Sequence, residues 1–222
     1  MCKKNITQPF EFFCYTDDSS DIIEQVNIIP FIDHNLDIIV HNKLFLFSEY
    51  VDQHIGEGDR VFFDLDMVIK SNIDHIVTYN KGEITLIEAL WRPENPRGFP
   101  LWHHTFNSSC MTWRSPKNRK VWEHYEKDKE FFLLKYHGGM DSFISYEKEQ
   151  IKTKIHFFPN TEECFYSHMF GRIFHESELA QDVYQKTAFQ CWPERFENIP
   201  IVLLNGFTVK KDYETYSKYY GD

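Results

Sequence analysis

Two aspartates one residue apart, Asp64 and Asp66, close the apolar run Val61-Phe62-Phe63-Asp64-Leu65-Asp66. Read as a β-strand, this run has a side-chain period of two. Both carboxylates then share one face, with Cα atoms about 6.5–7 Å apart. Two negative charges so placed repel unless a positive group sits between them. A hard divalent cation with oxygen ligands, Mg2+ or Mn2+, meets that need and keeps coordination positions open for diphosphate oxygens. The carboxyl ends of strands in open α/β sheets are also where ligands bind.

Other chemistries compete for the same residues. An Asp-x-Asp after three apolar residues also describes a strand that ends in a solvated turn. Hydrolases of the haloacid dehalogenase type use such a pair as nucleophile and acid. They carry it on a first strand and need a later Lys and an acidic pair, whereas two strand-like runs precede Asp64 here. His175-Glu176-Ser177-Glu178 lacks the second His of a zinc protease and reads as a helix surface. His103-His104 lies in a Pro-rich loop, as loop packing or as acceptor contact. Trp91, Phe99 and Trp102 are either rings pinning that loop to the core or a sugar-stacking platform. There is no GxSxG, P-loop or GxGxxG, so serine hydrolase, kinase and Rossmann dehydrogenase chemistry has no anchor.

The elements that must position Asp64 and Asp66 follow from hydrophobic pattern. Strands are expected over Phe10–Thr16, Val26–Phe31, Arg60–Leu65 with Asp66–Ile69 continuing it, Ile84–Ala89, Phe106–Trp113, Ile155–Phe158 and Ile201–Leu204. Helices are expected over His41–Tyr50, Asn72–Val77 after a Ser71 cap, Arg119–Phe132 and Asp141–Gln150. Residues 91–105 carry three prolines and a glycine and read as a long loop. Strands alternating with helices predict an α/β fold with a mostly parallel, twisted central sheet flanked by helices.

Composition bounds the rest. Apolar residues make up 42% of 222, enough for a core and too many for a disordered chain. A net charge of −10 excludes a broad nucleic-acid face, and the basic run Lys117–Lys120 reads as a solvated turn. Five scattered cysteines without a CxxC fit reduced thiols. No apolar run approaches the ~18 residues of a membrane span, and the opening MCKKNITQ lacks a signal-peptide core. The expectation is a cytoplasmic protein.

The order of segments resembles the GT-A-fold nucleotide-sugar glycosyltransferases, glycogenin-like and related bacterial and viral members, from Pro9 to about Lys210. "PFEFFCYTDD" is similar to that family's second strand and turn. "NKLFLF" resembles the helix before its motif strand, and "RVFFDLDMVIKSNID" the strand, Asp-x-Asp and following helix. "FNSSCMTW" resembles the strand that contacts the donor sugar, and "IPIVLLNG" the late strand that ends in a metal ligand. The resemblance implies one GT-A-like domain, with a nucleotide- and metal-binding half over about 1–90 and a sugar and acceptor half over about 91–222.

It further implies a Mn2+- or Mg2+-dependent transfer from a nucleotide-diphosphate sugar, UDP-sugar foremost, to a glycan, lipid or protein acceptor. Asp66 would hold the metal, and Asp64 would share it and reach the ribose. Asn107 and Ser108 would meet sugar hydroxyls, against the alternative that they cap their own backbone. Asp141 in "GGMDSFI" matches loosely a segment near the transferring sugar, against an exposed helix start. Lys43 and Lys210 would neutralise diphosphate. Asn205 stands where the family has a third metal ligand, a His. The family's first strand and helix have no counterpart here. Either the sheet closes up, a partner chain or oligomer supplies the strand, or the gene product begins upstream; a degenerate binding module is the alternative function.

Overall fold

The computed structural model describes residues 1–32, 39–89, 105–136, 138–167 and 198–203. After a single helical turn, α1 (Cys2–Asn5), the aromatic run forms β1 (Phe13–Thr16), parallel to β2 (Asn27–Pro30) with Phe13 opposite Asn27. Pro30 has no N–H for a ladder and stands at the end of its strand. The helix expected over His41–Tyr50 is instead a 3-10 segment, Ile39–Phe47, followed by α2 (Glu49–Ile55). Leu44 and Phe47, three apart, are both buried, which a three-residue turn permits. Ser48 then leaves helical geometry, and its hydroxyl accepts the Val51 N–H at 3.3 Å, so a new helix starts.

The motif run also differs from expectation. β3 (Gly58–Phe63) stops before Asp64, and β4 (Met67–Ile69) belongs to another sheet. Asp64-Leu65-Asp66 is therefore a connection between sheets and not the end of one strand, and strand periodicity does not govern its two carboxylates. Next come α3 (Asp74–Val77), β5 (Ile84–Glu88) and β6 (Phe106–Ser115). Asn72, not Ser71, receives the Asp74 N–H, at 3.1 Å. The helix expected over Arg119–Phe132 is broken at Lys127 and Asp128 into α4 (Lys120–Glu126) and α5 (Lys129–Lys135). The rest is α6 (Gly139–Ile151), β7 (Ile155–Phe157), α7 (Thr161–Cys164), β8 (Phe165–Ser167) and β9 (Ile201–Leu203). The Pro-rich loop lies almost wholly outside the described residues.

The fold is mixed α/β, and its sheets are mixed rather than mostly parallel. The four-stranded sheet runs β3-β6-β5-β7, antiparallel at its first two pairings and parallel at β5–β7. A three-stranded sheet runs β4-β9-β8, antiparallel then parallel. Strands alternating with helices are what suggested parallel pairing. That order of elements does not fix the direction in which neighbouring strands run. Leu86 and Met111 face a core of Leu44, Phe47, Val121, Tyr125 and Phe143, while Ile87 and Cys110 face a second core with Met67, Ile73, Ile201 and Leu203. Helices thus cover one face and the smaller sheet covers the other.

Among the described residues β1 pairs with β2 alone and β3 with β6 alone, so each keeps an unpaired edge. The 3-10 segment bridges the two sheets: the Phe45 ring lies 5.3 Å from Tyr15 on β1, and the Phe47 ring 5.2 Å from Trp113 on β6.

Candidate metal and nucleotide site

Asp64 is the first residue beyond β3, and its N–H donates to the Ser109 carbonyl of β6 at 2.8 Å. That bond extends the β3–β6 ladder by one step and fixes where the chain leaves the sheet. Leu65 is 96% exposed at the tip of the turn. Asp66 then turns back, half-buried, into β4, where the next residue, Met67, pairs with Leu203 of β9. The two aspartates therefore stand where two sheets meet, each anchored by a strand on its own side.

Lys43 reaches this turn from the 3-10 segment. Its Nζ lies 2.5 Å from the Asp64 Oδ2 and 5.3 Å from the centre of the Phe62 ring. The segment holds Lys43 in position because its neighbour Leu44 and the nearby Phe45 and Phe47 are buried in the core. Burial, and next the charge of Asp64, push the Asp66 carboxyl above its ordinary value, with Lys43 opposing. The thiol of Cys110 is raised well above the usual range, first by complete burial and then by the nearby Asp64 charge.

β6 contributes a second feature at the same level. Its register against β5 jumps between Leu86 opposite Met111 and Ile87 opposite Asn107, so Ser108, Ser109 and Cys110 bulge from that pairing. Bulges of this kind re-aim side chains and break regular pairing. Asn107 and Ser108 are buried, and the Asn107 Oδ1 accepts the Ser109 N–H at 3.0 Å. That bond realises the backbone-capping alternative for this oxygen of Asn107.

Asp141 is not an exposed helix start. It is buried in the first turn of α6, and α6 packs on both the 3-10 segment that carries Lys43 and on β6. Asn205 and Lys210 lie outside the described residues, as do His103-His104, Trp91, Phe99, Trp102 and His175–Glu178. The structure thus brings Lys43, Asp64, Asp66 and the Ser108–Cys110 bulge together and ties Asp141 to them through its helix. Sequence reasoning missed Ser109 and Phe62. Ser109 acts through its carbonyl, which side-chain chemistry cannot flag, and Phe62 acts as a rest for the Lys43 stem.

Among the described residues no group of three or more His, Cys, Asp and Glu side chains is arranged to hold a metal. The aspartate turn alone offers two hard oxygen donor groups, one of them destabilised in its charged form by burial and by its neighbour. A divalent cation would relieve that repulsion and take its remaining ligands from phosphate oxygens and water, so the residues present fit a cation held jointly with a ligand. No protein-family model matches this chain, and no curated protein does.

Proposed function

We propose that the chain is a metal-dependent glycosyltransferase that moves a sugar from a nucleotide-diphosphate donor, a UDP-sugar foremost, to a glycan, lipid or protein acceptor. The observation that carries this reading is the Asp64-Leu65-Asp66 turn, bonded through the Asp64 N–H to the bulged FNSS strand and met by a lysine. These are three of the segments on which the GT-A resemblance rests, and they are neighbours in space. Asp64 and Asp66 would hold Mn2+ or Mg2+, with Asn205 as a neutral third oxygen donor. The bound cation supplies charge to stabilise the departing nucleoside diphosphate. Lys43 and Lys210 would pair with diphosphate, Asn107 and Ser108 would orient the sugar, and Asp141 would stand near the transferring sugar.

A second reading, a degenerate GT-A-like binding module, is favoured by the unpaired edges of β1 and β3 and by the Asn107 Oδ1 bonded to its own strand. A partner chain or a second copy supplying a strand at those edges would reconcile the two. Among the described residues Cys2, Cys14, Cys110 and Cys164 are thiols outside any disulfide. No helix among the described residues is long and apolar enough to cross a membrane.

Calorimetric titration of UDP and of GDP, with Mn2+ and with chelator, decides between the readings. The donor-site reading expects micromolar binding that needs both Mn2+ and Asp66, with Asp66→Ala losing about tenfold or more, equivalent to ~1.4 kcal/mol. Absence of nucleotide binding under every condition sinks the enzyme reading for this chain.

A further inference from the structure

We propose that Lys43 is a resident counterion of the aspartate turn: a divalent cation displaces it from Asp64, and the freed ammonium then meets the diphosphate. Metal and nucleotide binding are thereby coupled. The inference rests on the donor-site reading above and adds to it an order of events and a competitor for the metal.

The geometry carries it. One carboxylate oxygen of Asp64, Oδ2, already lies 2.5 Å from the Lys43 Nζ. Two positive charges on one carboxylate repel, so a cation entering the turn competes with the lysine for Asp64. The pair is built to separate. Its side chains are 25% and 20% exposed for Lys43 and Asp64, so water can solvate the ammonium once it leaves. The Phe62 ring, 5.3 Å from Nζ, already faces the ammonium and can hold it when Asp64 is given up. The backbones on either side are anchored. Lys43 sits beside buried Leu44 in the 3-10 segment, and the Asp64 N–H is held by Ser109. Only the side chain can change partner, and a diphosphate bridging to the same cation offers the nearest new anion.

The coupling has a definite sign. In wild type the metal alone binds weakly because it competes with Lys43, and nucleotide restores affinity by taking the lysine. Replacing Lys43 with Met removes the competitor and the later partner together. By linkage the same factor must appear whichever ligand is titrated first.

The test is calorimetry of Mn2+ on the wild type, Lys43→Met and Lys43→Arg, each with and without UDP. The proposal expects Lys43→Met to bind Mn2+ alone about fivefold tighter or more, with UDP then tightening it far less than in wild type. Lys43→Arg, which keeps the charge, should keep the coupling. As a check on unmodified protein, the Lys43 ammonium signal in 15N NMR should shift on adding Mg2+ alone and again on adding UDP. Equal Mn2+ affinity in wild type and Lys43→Met, with UDP binding intact, overturns the counterion role and leaves the donor site standing. No Mn2+ or UDP binding to any of the three proteins overturns both.

Discussion

Burial and the adjoining Asp64 push the Asp66 carboxyl above the ordinary aspartate value of 3.8. A carboxyl that holds its proton more tightly when folded stabilises the fold below the unfolded pKa, and that contribution is lost as pH rises through the folded pKa. Ionising Asp66 as pH rises toward neutrality therefore costs the fold stability. Asp66→Asn should raise the melting temperature in chelator, with a gap from wild type that widens as pH climbs above 3.8. Thermal melts across pH check this, and adding Mn2+ should narrow or reverse the order, because only wild type gains the ligand. A melting temperature unchanged or lowered by the substitution at pH 7 would show that Asp66 is already neutralised by its surroundings.

At the scale of elements, β3 must hold its register for Asp64 to arrive beside Ser109. A buried ionic cluster at the other end of the strand secures it. Asp52 of α2 takes Arg60 of β3 on one oxygen, with Nη2 at 2.7 Å, and Arg119, just before α4, on the other, with Nη2 at 2.7 Å. The Ser115 hydroxyl of β6 also donates to it. Asp52 and Arg60 are both buried, and burial lowers the Arg60 pKa despite the aspartate beside it. Removing the one carboxylate strands a buried guanidinium. Asp52→Asn should cost about 3–5 kcal/mol in urea denaturation. A loss below ~1 kcal/mol, the range of surface pairs, would mean that water already solvates Arg60.

At the scale of the molecule, β1 and β3 each have an edge without a partner among the described residues, which leaves a question of assembly. In an antiparallel ladder successive residues aim their backbone groups to opposite sides. The Asp64 N–H points to β6, so that of Phe62 does too, while those of Val61 and Phe63 point to the open edge. Hydrogen exchange on dilute protein should find the Phe62 amide protected by at least ~10-fold more than Val61, since among the described residues only that of Phe62 faces a ladder partner. If a second copy completes the sheet, Val61 and Phe63 should gain protection as concentration rises. Exchange there that stays fast at every concentration would exclude self-pairing at this edge. Unblunted edges of this kind are sites of strand addition in many proteins.

Much of the fold was legible in the chain because near neighbours encode it. Apolar runs bounded by turn residues marked β1, β2, β5, β6 and α6 to within a few residues, and the Asp-x-Asp drew attention to the turn that joins two sheets. Local pattern carried less where two structures share one pattern. The aromatic run before Ser48 suits an α-helix or a 3-10 turn, and only the Ser48 cap and the core beneath decided between them. Strand direction was hidden as well. Strands alternating with helices suggested parallel pairing, yet long-range contacts decide which strands become neighbours, and β5 runs antiparallel to β6 and parallel to β7. The site's decisive contacts, Lys43 with Asp64 and Asp64 with Ser109, join residues 21 and 45 positions apart. Their formation depends on closing those loops and burying both sheet faces, and no local spacing records either cost. Residue types and the order of elements came from the sequence alone, while tertiary packing decided which charges meet.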